Sequence, residues 1–141
     1  MLHDLFETII IPEKVREEIR EMSNYGWDLS HFESATWIEV KTPGDVDLVK
    51  RLQAELDDGE AEAIALAVEL EADRLLIDER KGSAIAKALG VKAVGLIAVL
   101  IEAKTKGVLP NILLVIDELR EKGGFWLSNR FYEEIRKMVG E

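Results

Sequence analysis

The sequence predicts an α/β domain whose strands form a mainly parallel sheet covered by helices on both faces. Three observations predict it. Short β-branched or apolar runs alternate with stretches of helical periodicity, the pattern of strand–helix–strand units. The chain has 141 residues, 48% of them hydrophobic and 33% charged, enough to build one core under a polar surface. No internal repeat or low-complexity linker divides it, so residues 1–141 are expected to form a single domain.

The elements follow in order. Residues 8–11, Thr-Ile-Ile-Ile, read as a β-branched strand. Pro12 suits the first turn of the helix behind it. That helix runs to about 23, with Val15, Ile19 and Met22 on one stripe, and Asn24-Tyr25-Gly26 ends it. A strand is expected over 36–40, a turn at Pro43-Gly44, and a helix over 46–56. Asp57-Asp58-Gly59 breaks that helix and opens the next, over 60–71. Residues 74–77 read as a buried strand, and 79–89 as a helix closed by Gly90, a natural C-cap. A short strand over 92–94 precedes helices over 96–106, 111–122 and 128–139. Gly107 and Gly123-Gly124 separate these three.

Composition narrows the function. There is no cysteine, which excludes disulfides and thiolate zinc sites and points to a reduced, cytoplasmic setting. His3 and His31 are the only histidines, so a histidine-rich metal centre is excluded. The longest apolar run, 91–101, is too short to cross a membrane, and residues 1–4 lack the regions of a signal peptide. A net charge of −10 and a pI near 4.8 argue against a general electrostatic nucleic-acid binder. They leave a metal-dependent enzyme open, because a bound cation inverts the local field.

Most acids fall on polar faces, and three do not. Glu18 shares the stripe of Val15, Ile19 and Met22 at helical spacing. Glu60 shares a face with Ile64, Ala67 and Glu71, while Glu62 and Glu69 lie on the wetter side. Asp78 ends the apolar strand Leu75-Leu76-Ile77, where open parallel sheets gather functional groups. Each has an ordinary alternative. Glu18 is a stripe-edge acid paired with a lysine, Glu60 a first-turn acid favoured by the helix dipole, and Asp78 the N-cap of the helix starting at Glu79. Taken together, three carboxylates at inward or strand-end positions call for a divalent cation.

The run Gly59-Glu60-Ala61-Glu62-Ala63-Ile64-Ala65-Leu66-Ala67, followed by Ala72-Asp73-Arg74-Leu75-Leu76-Ile77-Asp78-Glu79, resembles PIN domains, more closely an uncharacterised VapC-like branch. Leu5-Phe6, Ile11-Pro12 through Glu18, Ala86 to Gly90, Ala103-Lys104 and the stretch from Gly124 to Glu141 extend the likeness over nearly the whole chain. The resemblance implies a flavodoxin-like three-layer α/β/α sandwich with a central, mainly parallel sheet. It implies Mg²⁺- or Mn²⁺-dependent cleavage of RNA, and in several such proteins a toxin paired with an antitoxin protein. Its second, third and fourth acids fall on Glu18, Glu60 and Asp78. Arg80 and Lys81, directly after Asp78, are candidate phosphate contacts, with a solvated helix start as the plainer alternative.

Departures are also expected. The family's first strand, ending in Asp, is absent together with most of a helix, about 15–20 residues at average element lengths. Asp4 falls in the helix remnant and is not that acid. Ser83 and Leu96 stand where close relatives carry Arg and Thr. Such a truncation is expected to leave unpaired sheet edges. Three explanations compete: a longer natural protein, an intertwined homodimer, or a degenerate relative acting as an interaction or regulatory module. In the last case Trp27, Trp37, Phe125 and Trp126 are candidates for a partner surface. A phosphorylated receiver domain built on Asp78 fits poorly, because Lys92 starts a strand rather than ending one.

Overall fold

The structure is a computed structural model that describes residue 6 and residues 8–26, 28–122 and 125–141. The expectations on His3, Asp4, Leu5, Trp27 and Gly123-Gly124 lie outside the described residues. The order is β1 (Ile9–Pro12), α1 (Glu13–Glu21), a 3₁₀ turn (Met22–Tyr25), α2 (Ser30–Ser34), β2 (Ile38–Lys41), α3 (Val46–Gln53), α4 (Asp58–Glu69), β3 (Leu75–Leu76), α5 (Arg80–Ala88), β4 (Ala93–Val94), α6 (Leu96–Thr105), α7 (Leu113–Lys122) and α8 (Asn129–Val139). The chain is α/β with short parallel strands, as expected, and every predicted strand and helix has a counterpart.

Two local differences have plain causes. Pro12 closes β1 and caps α1 with φ −67° and ψ 154°, one step short of the helix, because it is still extended there. The segment after Gly26 carries α2, which no periodicity announced; Asp28 starts it by accepting a hydrogen bond from Ser30 N at 3.0 Å.

The expected central sheet consists of two parallel pairs among the described residues. Ile9 lies opposite Ile38 and Pro12 opposite Lys41; Leu75 lies opposite Ala93. The hydrogen-bond alternation of a parallel ladder explains where pairing stops. Leu75 N and Ile77 N donate to Lys92 O and Val94 O, both at 2.9 Å, so the peptide groups of Leu76 point away from β4. Ile9 N donates to Trp37 O at 3.0 Å, so those of Ile10 point away from β2, and Pro12 has no N–H to offer a further strand.

Helix α4 joins the two pairs, since it packs on α1 and β1 as well as on α3, β3 and α5. Its small residues permit that closeness: Gly59, Ala61, Ala65 and Ala67 are buried beside Ile64 and Leu66. Asp57 caps it by accepting from Glu60 N at 2.8 Å. A second apolar cluster, around Leu100, Ile112, Ile116, Leu127 and Ile135, binds α6, α7 and α8. Glu141 clamps this half: its carboxylate accepts from Ile112 N at 3.0 Å and Leu113 N at 3.1 Å, and meets Lys104 Nζ at 2.7 Å. No helix of the described residues is long and apolar enough to cross a membrane.

Candidate functional site

Glu18 and Glu60 share the junction of α1 and α4. Glu18 leaves α1 along the margin of its stripe, where Val15 and Ile19 are only half-buried and no residue of the helix is fully buried. Glu18 is an exposed residue rather than one of the core stripe, and its carboxylate lies on the α4 backbone at Gly59. A Cβ added there would stand 2.7 and 2.8 Å from the two Glu18 oxygens, so glycine is what admits the carboxylate. Glu60 follows in the first turn of α4 and faces inward, half-buried, in line with the fully buried Ile64 and the nearly buried Ala67. Glu62, expected on the wet side, is half-buried as well, because α1 covers it with Lys14 and Glu17.

The electrostatics of this junction are unfavourable to charge. Burial raises the Glu18 carboxyl above its usual range, and the Asp57 carboxylate adds to the rise, while Lys14 offsets part of it. Burial likewise raises Glu60, followed by Asp57 and Glu79, with Glu18 contributing. A first-turn position normally favours an ionised acid. Here burial, with the surrounding acids adding to it, outweighs that preference. Asp57 was legible as a cap, since it stands three residues before Glu60 in a capping-box arrangement, but its role as the shared repelling neighbour follows only from the packing.

Asp78 sits elsewhere than a local cap. Glu79 caps α5, accepting from Lys81 N at 3.0 Å and from Gly82 N, which draws its own carboxyl below the usual range. Asp78 Oδ1 instead accepts from Leu96 N at 2.9 Å, tying the end of β3 to the start of α6. Gly95 stands beside it, where a Cβ would come within 3.0 Å of the same oxygen. Position 96 therefore contacts the site through its backbone. Among the described residues, no three His, Asp or Glu side chains form a group able to hold a metal ion. Thus Glu18 and Glu60 are brought together, and Asp78 stands apart with α6.

The two basic candidates also part. Lys81 Nζ lies 3.9 Å from Glu55 Oε1, an exposed pair of little energetic weight. Arg80 lines an open groove of about 860 Å³ whose wall includes Asp78, Gly95, Phe125, Trp126 and Phe131. Of the aromatic residues proposed for a partner surface, Trp126 is 82% exposed, Phe125 packs on the second apolar cluster, and Trp37 is half-buried.

The fold and these residues define an α/β domain with carboxylates gathered at the first turn of one central helix and at the carboxyl end of a parallel strand. A family model for a PIN domain matches residues 1–141, and the chain belongs to the PIN-domain family, which is generally related to nucleases. No curated protein and no solved structure gave a match.

Proposed function

We propose that this chain is a Mg²⁺- or Mn²⁺-dependent ribonuclease of the PIN type, one domain over residues 1–141, in which Glu18 and Glu60 hold the ion and Asp78 supplies a further carboxylate at the end of β3. One observation carries the reading: two carboxyls from different elements, Glu18 and Glu60, are pressed among other acids and both raised above their usual range. Such crowding is relieved by a divalent cation. The donor chemistry fits, since hard carboxylate oxygens suit Mg²⁺ and Mn²⁺. Asp78 offers a third carboxylate whose Oδ1 the Leu96 N–H orients. When bound, the ion supplies an acidified water and neutralises charge on the phosphate. The chain supplies the acids and, through Arg80, a contact for a phosphate oxygen. The VapC-like resemblance extends the proposal to a cytoplasmic toxin restrained by an antitoxin protein.

The test is RNA cleavage with and without Mn²⁺ in the parent and Asp78→Asn. The Asn amide oxygen still accepts from Leu96 N, so the fold keeps its bond while the site loses a charge. Cleavage is expected to vanish; equal rates in the two proteins would remove the assignment.

A second reading has its own support. The outward peptide groups at Ile10 and Leu76, residues 38% and 45% exposed, offer strand edges for pairing with a second copy or another partner. In that interaction module the acids would be structural. Light scattering that finds a dimer, together with no thermal shift in Mn²⁺, would favour it.

A further inference from the structure

We propose that the groove between the end of β3 and α8 is a stacking site for an unpaired nucleotide, with Trp126 and Phe131 as the base platform and Arg80 as the phosphate contact. The inference rests on the nuclease reading above, because a phosphate beside Asp78 needs a cation to offset that carboxylate.

Three features of the groove converge. Its volume of about 860 Å³ is within the range of small-molecule sites, roughly 300–1,000 Å³. Two aromatic side chains on its wall stay in water when ample apolar core lies near: Trp126 is 82% exposed and Phe131 42%. Leu127, between Trp126 and the cap of α8, is only 7% exposed, so the chain here turns one neighbour inward and the indole outward. At the other end the Arg80 guanidinium has no ion-pair partner among the described residues. An apolar peptide would cover the rings and leave that guanidinium facing nothing. A nucleotide matches both, with a flat base for the rings and an anion for Arg80. The position is also apt, since Asp78 shares the wall and would lie beside the same phosphate.

Every base has a π-face, so stacking tolerates sequence but requires an unpaired base. The groove would therefore discriminate strandedness. Ser128 holds the geometry by accepting from Phe131 N at 3.1 Å, which fixes the first turn of α8 under the platform.

The test is fluorescence anisotropy with a short labelled oligoadenylate RNA, the same sequence as DNA, and a hairpin duplex, all with Ca²⁺ in place of Mn²⁺, so that the Asp78 carboxylate is offset while binding is separated from cleavage. The proteins are the parent, W126A, W126F and R80Q. Because Trp126 is exposed, W126A is expected to stay folded, checked by circular dichroism. The parent is expected to bind the single strand more tightly than the duplex. W126A should weaken that binding by about tenfold or more and W126F by much less. R80Q should lower the salt dependence by about one ion. Tighter binding of RNA than DNA assigns the groove to RNA; equal binding assigns it to single strands of either sugar. Parent-like affinity in W126A, equal affinity for the duplex, or no binding by the parent would overturn the stacking site; in the last case the rings remain as a protein-docking face. Cleavage with Mn²⁺ is scored separately. A parent that binds through Trp126 but does not cleave would sink the nuclease reading alone, and one that cleaves with W126A unimpaired would sink the platform alone.

Discussion

Glu60 and Glu141 are the same side chain in two halves of one molecule, and their surroundings give them opposite character. At Glu141 burial pushes the carboxyl up, but Lys104 and the N–H groups of Ile112 and Leu113 outweigh it and leave the group below its usual range. Glu102 goes further: hydrogen bonds from Arg74 and Lys106 draw it down to about 2. At Glu60 nothing comparable compensates, and Asp57, Glu79 and Glu18 add to the effect of burial. Acids satisfied within the chain hold the fold together. Acids whose neighbours are other acids are the ones assigned to the proposed cation.

The largest effect that would sharpen this contrast is on activity. Glu60→Gln is expected to lower Mn²⁺-dependent RNA cleavage by more than about 100-fold, above the cost usual for groups that merely support a ligand. Urea unfolding should show no loss of stability, since a repelled charge has gone. A stable variant with parent activity would break the contrast. Glu141→Ala should do the reverse. It strands two backbone donors and Lys104, so unfolding free energy is expected to fall by about 1–3 kcal/mol, while the cleavage rate per folded molecule stays unchanged.

A smaller effect is the pH dependence. Glu18 and Glu60 have folded pKa values raised above the usual 4.5, so their protonated forms favour the folded state. That contribution is full below about 4.5 and is lost as the pH rises through their raised values. Glu102 and Glu141 have the opposite sign. Their contribution is present above 4.5 and is lost as the pH falls, toward about 2 for Glu102. Melting temperature without metal is thus expected to peak at mildly acidic pH and decline toward neutrality. Added Mn²⁺ should abolish the decline in the parent but not in Glu60→Gln. A metal-insensitive profile in the parent would place these acids with the structural ones.

The smallest expected effect on folding belongs to Gly59→Ala. Alanine in a helix gains up to about 1 kcal/mol over glycine, and the atom it meets is the movable end of Glu18, 2.7 Å away. Stability should hold or rise slightly, while calorimetry reports weaker Mn²⁺ binding because the Glu18 carboxylate has been displaced. Unchanged binding would separate Glu18 from the ion.

By itself the sequence determined the element order and much of each acid's local setting. Gly and Pro punctuation and apolar periodicity act within a few residues. Residues such as Pro12, Gly90 and Asp57 therefore carry their message locally, and the inward turn of Glu60 follows from the face it shares with Ile64. Tertiary structure alone decided which groups meet. Glu18 comes to the first turn of α4 because its carboxylate rests on Gly59, next to Glu60 in the chain. Asp78 finds its partner at Leu96, 18 residues away, rather than in the helix beside it. Trp126 and Arg80 come to line one groove although they lie far apart in the chain. The physical reason is range: propensity and capping are settled by neighbours along the backbone, whereas carboxylate repulsion, strand pairing and groove shape depend on helices packed from distant segments.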